Sequence, residues 1–289
     1  MSVSLLSATP CALGEGPSYD VRTDTLFWFD ILGQKLHSRD FKTASESVSD
    51  LPFMASAIFS IDDDRQLVLS EHGFHIRFRQ TAILALHTPV EIDNPLTRSN
   101  DARAHQCGAI WFGTMAKDES EGAGKFYHFY KGKITVLIDR ATIPNSICFS
   151  PNGDFAYYVD TPTHQMMRMP IDPQTALPTG KPELFYEHKG AGWIDGSVCD
   201  ADGNIWNARW GAGQIACISP EGRVTQTIDI PLATQTSCPA FVGKNLDRMV
   251  VTTANKLMSQ DALNAAPDSG KTFVIDWPCK GRAEPDVHI

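Results

Sequence analysis

The chain has 289 residues, 42% of them hydrophobic, with a net charge of -9. That composition supports a sizeable core, and the acidic balance argues against nucleic acid or an anionic membrane surface as a partner, since both need a basic face. No apolar run reaches the roughly 18 residues that span a bilayer.

The first ten residues carry no basic n-region and too short an apolar stretch for a signal peptide. The seven cysteines (Cys11, Cys107, Cys148, Cys199, Cys217, Cys238, Cys279) are odd in number and show no Cys-x-x-Cys spacing. They read as reduced small hydrophobes in a cytoplasmic protein, not as a zinc site.

From there the chain repeats one form: a polar residue, an apolar strand, a turn, a second strand, then a third. Asp24–Asp30 is followed by a strand at Gln34–Ser38, and Asp62–Leu69 by one at Phe74–Phe78. Ile110–Gly113 precedes Gly124–Phe129, and Phe155–Asp160 precedes Gln165–Met169. Ile205–Ala208 precedes Gly213–Ile218, and Met249–Thr252 precedes Lys271–Ile275. The middle strands begin near Leu26, Leu67, Ile110, Phe155, Ile205 and Met249, in steps of 41 to 50 residues. Six copies of about four short strands predict an all-β, six-bladed β-propeller occupying residues 1–289 as one domain. Trp28, Trp111 and Trp206 recur on middle strands and are expected in the core.

Glu15, Asn100, Asn145 and Asp195 stand in one slot of this repeat, eight residues before the turn in each copy. The same offset puts Ala57 and Pro239 near the slot in the second and sixth copies. In a propeller that slot faces the central channel, so a central-channel metal site is expected. Glu15, Asn145 and Asp195 offer hard oxygen donors suited to Ca²⁺, Mg²⁺ or Mn²⁺, and Zn²⁺ and Fe²⁺ also take such donors. Turn capping is the alternative use of these residues. Arg98 and Asn100 could orient a polyhydroxylated ligand. Trp193, two residues before Asp195, either walls the pocket or packs. His105 and His164 lack ligand spacing and read as structural.

The ordered segments Leu13-Gly14-Glu15-Gly16-Pro17, Arg98-Ser99-Asn100-Asp101, Pro144-Asn145-Ser146, Ile194-Asp195-Gly196 and Thr236-Ser237-Cys238-Pro239 make the chain resemble the gluconolactonase family, which includes regucalcin (SMP-30) and bacterial sugar lactonases. The resemblance implies one divalent cation on Glu15, Asn145 and Asp195, substrate hydroxyls near Arg98 and Asn100, and a further substrate-binding glutamate at Glu121, with Glu119 as the alternative. It departs from the family pattern at Ser146, where glycine is common, and at Ala102-Arg103-Ala104. The expected reaction is hydrolysis of a sugar aldonolactone, pentono- or hexono-, with Asp195 as general base. The rival expectation is a regucalcin-like calcium-binding regulatory protein without significant turnover. A third, a hydrolase of unrelated esters on the same scaffold, would need a more apolar pocket. The expected partner is a small-molecule lactone, and the expected state a monomer or weak homo-oligomer.

Overall fold

The computed structural model describes residues 2–276 and 279–289. The fold is all-β with a propeller-like arrangement of antiparallel sheets. The first sheet takes Gly14–Asp20, Thr25–Asp30, Lys35–Asp40 and Glu46–Asp50 in chain order. Three more four-stranded sheets of the same order begin at the strands Ala55–Ser60, Thr97–Ala104 and Pro144–Phe149. The remaining strands form one eight-stranded sheet. Within it, Trp193–Cys199 starts one run of strands, Gln235–Val242 starts another, and a single pair, Trp210 with Gln235, joins the two. The N-terminal strand Ser2–Ser7 pairs with Thr272–Asp276 and so ties the start of the chain to this last sheet.

The strands form because their residues suit two-sided burial. Ile110–Ala116, for example, is buried at every position. Apolar side chains of adjacent sheets interdigitate: Phe74 meets Phe112 edge-on at 5.1 Å and stacks on Phe129 at 4.5 Å. Each fully buried phenyl contributes about 1.5–3 kcal/mol. Trp28, Trp111 and Trp206 are core residues, as their recurrence on middle strands predicts. All seven cysteines are free thiols, six of them buried. Among the described residues no helix is long and apolar enough to cross a membrane.

Residues 279–289 run across the turn end of the molecule, opposite the Glu15 end of the inner strands. Lys280 O accepts from Ala201 N at 2.8 Å, and Gly281 N donates to Leu246 O at 2.9 Å. Arg282 donates to Phe149 O at 3.1 Å, and Glu284 accepts from Arg103 at 2.7 Å. Asp286 pairs with Arg22, Val287 N donates to Ser60 O, and His288 N donates to Gly108 O. The tail therefore touches a turn or a strand end of every sheet.

Candidate active site

Every inner strand carries a register shift at the same point, near its start: Glu15/Ser18, Ala55/Ala57, Ser99/Ala102, Asn145/Cys148, Ile194/Ser197 and Thr236/Pro239. A β-bulge turns side chains out of the regular alternation and re-aims them. Glu15 and Asn145 are the last paired residues before their bulges, whereas Asn100 and Asp195 are the first within theirs. Ala57 and Pro239 are not in the slot. They are paired residues beyond the bulge, and the positions inside it are Ser56 and Ser237. The hairpins differ in length, so a fixed offset from the turn drifts along the strand. Ser56 donates to Ser99 Oγ at 2.8 Å, and Ser237 donates to Gly14 O at 2.5 Å, so both slots carry hydroxyls that tie neighbouring inner strands.

Five of the six predicted residues, Glu15, Arg98, Asn100, Asn145 and Asp195, meet in the walls of one cavity of about 500 Å³. A chain of hydrogen bonds orders them. Arg98 Nη1 donates to Ser99 O and to Asn100 Oδ1, both at 2.8 Å. Asn100 Nδ2 donates to Pro144 O at 2.9 Å and to Asn145 Oδ1 at 2.8 Å. Asn145 Nδ2 donates to Thr161 Oγ1 at 2.9 Å, and Thr161 Oγ1 donates to Ile194 O at 3.0 Å. Both amide orientations follow from this chain, and Asn145 Oδ1 keeps a lone pair for another partner.

The two cavity carboxylates sit in a hostile field. Burial, and then the nearby Asp101, push the Glu15 carboxyl up to about 8, against the opposing pull of Gly16 N–H, Arg98 and Arg103. Burial, then Glu15, then Asp101, raise Asp195 well above the ordinary carboxylate range. Neither carboxylate belongs to a salt bridge among the described residues. Two desolvated carboxylates without a salt-bridge partner among the described residues, beside an amide oxygen with a free lone pair, fit a hard divalent ion. Among the described residues no cluster of three or more His, Cys, Asp or Glu side chains is poised for metal, so this mixed carboxylate–amide set stands as the candidate.

The loop 117–123 contributes Glu119 to the cavity wall, while Glu121 is exposed and lies outside it. Glu119 pairs with Lys256, which reaches in from the loop after Arg248–Ala254. Lys256, Thr161, Trp210 and Gln235 line the cavity although the sequence reading assigned them nothing. Lys256 sits in a loop without a counterpart in other copies, so no spacing marks it. A signal did exist for two supporting acids. Asp30 lies as far beyond Glu15 as Asp160 lies beyond Asn145. Asp30 accepts from Ala12 N and Leu13 N, at 2.9 and 3.0 Å. Asp160 accepts from Thr142 N and Ile143 N, at 3.0 and 2.8 Å. Each thereby holds the segment that leads into a candidate ligand.

The two departures from the family pattern have structural uses. Ser146 takes the left-handed conformation (φ 58°), which glycine adopts more easily. Its hydroxyl compensates by donating to Asp195 O at 2.5 Å, within reach of Ser197 and Asn207. Arg103 turns away from the cavity to Glu284 in the tail. His105 is structural, its Nε2 at 2.9 Å from Gly153 O and its Nδ1 accepting from Cys107 N. His164 packs on Trp193, ring against ring at 4.4 Å.

Residues 13–255 match the family model described as SMP-30/Gluconolactonase/LRE-like region. The chain is 45% identical over 285 residues, covering 98% of it and 96% of the relative, to a protein of Rhizobium meliloti (strain 1021) whose name places it provisionally among sugar lactone lactonases. It is 31% identical over 286 residues to the L-arabinolactonase of Azospirillum brasilense, covering 97% and 93% of the two chains. Its fold superposes with a TM-score of 0.98 on the crystal structure of a calcium-binding protein, regucalcin, from Agrobacterium tumefaciens str. C58, at 44% identity and covering 100% and 98% of the two chains.

Proposed function

The chain belongs to the SMP-30/gluconolactonase/LRE-like family, and we propose that it is a lactone-hydrolysing enzyme acting on a sugar aldonolactone in a central channel. The observation that carries this reading is the hydrogen-bonded chain from Arg98 to Ile194, which fixes polar groups around two cation-seeking carboxylates. The names of the relatives support the reaction class. We also read the eight-stranded sheet as two blades joined at Trp210 and Gln235, which gives six blades in all.

Glu15, Asn145 and Asp195 would hold the divalent ion, which when bound supplies Lewis-acid polarisation of the lactone carbonyl and a water of lowered pKa. Arg98 and Asn100 orient ring hydroxyls so that the carbonyl carbon faces the attacking water. Asp195 takes a proton from that water as its oxygen bonds to the carbonyl carbon. The ring C–O bond then breaks, the ring oxygen receives the proton from Asp195, and the open-chain aldonic acid leaves. No serine or cysteine nucleophile is required. Glu119, in place of Glu121, is the glutamate positioned to meet the substrate from loop 117–123.

The test is to strip the purified protein of metal and follow acid release from a panel of aldonolactones while Ca²⁺, Mg²⁺, Mn²⁺, Zn²⁺ or Fe²⁺ is added in turn. Metal-dependent acid release above the spontaneous rate is expected. Metal binding without release for any lactone would instead support a calcium-binding regulatory protein, the second reading, which the regucalcin likeness favours.

A further inference from the structure

We propose that Trp193 is a specificity-determining stacking platform that receives the C–H face of the bound sugar ring. The proposal rests on the lactone reading above and adds to it the feature of the ligand that this wall selects.

Trp193 opens the strand Trp193–Cys199 and lines the cavity. It is 44% exposed, whereas Trp28, Trp111 and Trp206 are at 4% or less. An indole left this open serves packing poorly, because nearly half of its surface stays in water. The ring is nonetheless held. His164 stacks on it at 4.4 Å with the planes 26° apart. The backbone that carries His164 is tied at both groups: its N–H donates to Thr161 O at 3.1 Å, and its carbonyl accepts from His188 N at 2.9 Å. Across the strand pair Trp193 faces Trp210, which also lines the cavity. An indole backed by a second ring is a partly prepared surface, with less side-chain entropy to lose on binding than an unbacked one.

The platform is also tied to the reacting centre. Thr161 accepts from the candidate ligand Asn145 and donates to Ile194 O, and Ile194 stands between Trp193 and Asp195. Thr161 is also the residue whose carbonyl anchors His164. One short turn thus sets the positions of the aromatic wall and of the polar floor together. A sugar ring has two kinds of surface, equatorial hydroxyls and axial C–H groups. Arg98 and Asn100 answer the hydroxyls. The negative face of the indole answers the C–H groups, which carry slight positive charge. A ring with its axial hydrogens gathered on one face would be preferred over one that places an axial hydroxyl there.

Three proteins test this: wild type, Trp193→Ala and Trp193→Phe. With the metal and lactone that wild type turns over best, Trp193→Ala is expected to raise KM about three- to tenfold with kcat within twofold, while Trp193→Phe stays near wild type. Separately, glucono-1,5-lactam, whose amide resists hydrolysis, is titrated while tryptophan emission is followed. The wild-type response should be larger than that of Trp193→Phe, which lacks the reporting indole. An unchanged KM in Trp193→Ala, or the same emission change in wild type and Trp193→Phe, overturns the platform. If wild type hydrolyses no lactone, the functional reading fails by itself, and the lactam titration still decides whether Trp193 binds a ring sugar.

Discussion

Asn100 Nδ2 donates to Asn145 Oδ1 at 2.8 Å, so a residue proposed to orient substrate and a candidate metal ligand are hydrogen-bonded across adjacent inner strands. Asn100→Asp removes that donor and sets a carboxylate against Asn145 Oδ1 and Pro144 O. Loss of such a supporting hydrogen bond costs about 10–100-fold in metal affinity or activity. Calorimetric titration of the divalent ion into Asn100→Asp should show the loss, and Asn100→Ser should recover part of it.

Asp195→Asn should lose about 10²- to 10⁴-fold in hydrolysis, the usual range for a general base. Its fold should survive. In the metal-free protein the burial of Asp195 beside Glu15 disfavours the charged form, so removing that charge should hold or raise the thermal midpoint. Added divalent ion should then stabilise wild type far more than the variant. Melting curves with and without ion check both halves, and near-normal turnover by the variant would refute the base assignment.

Asp160 accepts from Thr142 N and Ile143 N. Asp160→Ala leaves both donors without that partner, a cost of about 1–3 kcal/mol for a buried polar group left unsatisfied. It also frees the segment leading into Asn145. The expected result is a lower urea midpoint together with weaker metal binding. Asp30→Ala should behave alike at Glu15.

Burial lowers the pKa of His37, His75, His105 and His128 below the ordinary histidine value. Protonation therefore favours the unfolded chain. The stability these four contribute is complete above an unfolded pKa of about 6.5 and falls as pH drops below it. With saturating divalent ion keeping Glu15 and Asp195 ionised, the urea midpoint should be lower at pH 5.5 than at pH 7.5. Ring resonances of His105 that titrate at the ordinary value would contradict its part in this.

The repeat was legible because it is written in local terms: apolar strands, turns with glycine or aspartate, and a polar residue before each. From it followed the gathering of Glu15, Asn100, Asn145 and Asp195 in one cavity, and Arg98 comes with its neighbour Asn100. Ala57 and Pro239 were misplaced because the offset from a turn is insensitive to hairpin length, whereas the bulge that fixes the slot is set by strand pairing. Lys256 and Glu119 meet across a long stretch of chain through loops that do not repeat. Glu121 lies on the right loop but not in the cavity wall, since composition cannot say which of two glutamates a turn aims inward. The junction of Trp210 with Gln235 and the pairing of Ser2–Ser7 with Thr272–Asp276 are long-range pairings with no local signature.

That last pairing bears on how the protein is made. Ser2–Ser7 is translated long before Thr272–Asp276, so the earlier strand waits for its partner while the residues between them are made. During that time its backbone groups and the apolar edge beside it lack their final cover, a state prone to mispairing with other nascent chains. Closure of this pairing is therefore timed by synthesis of Thr272–Asp276 and not by the speed at which the earlier sheets form.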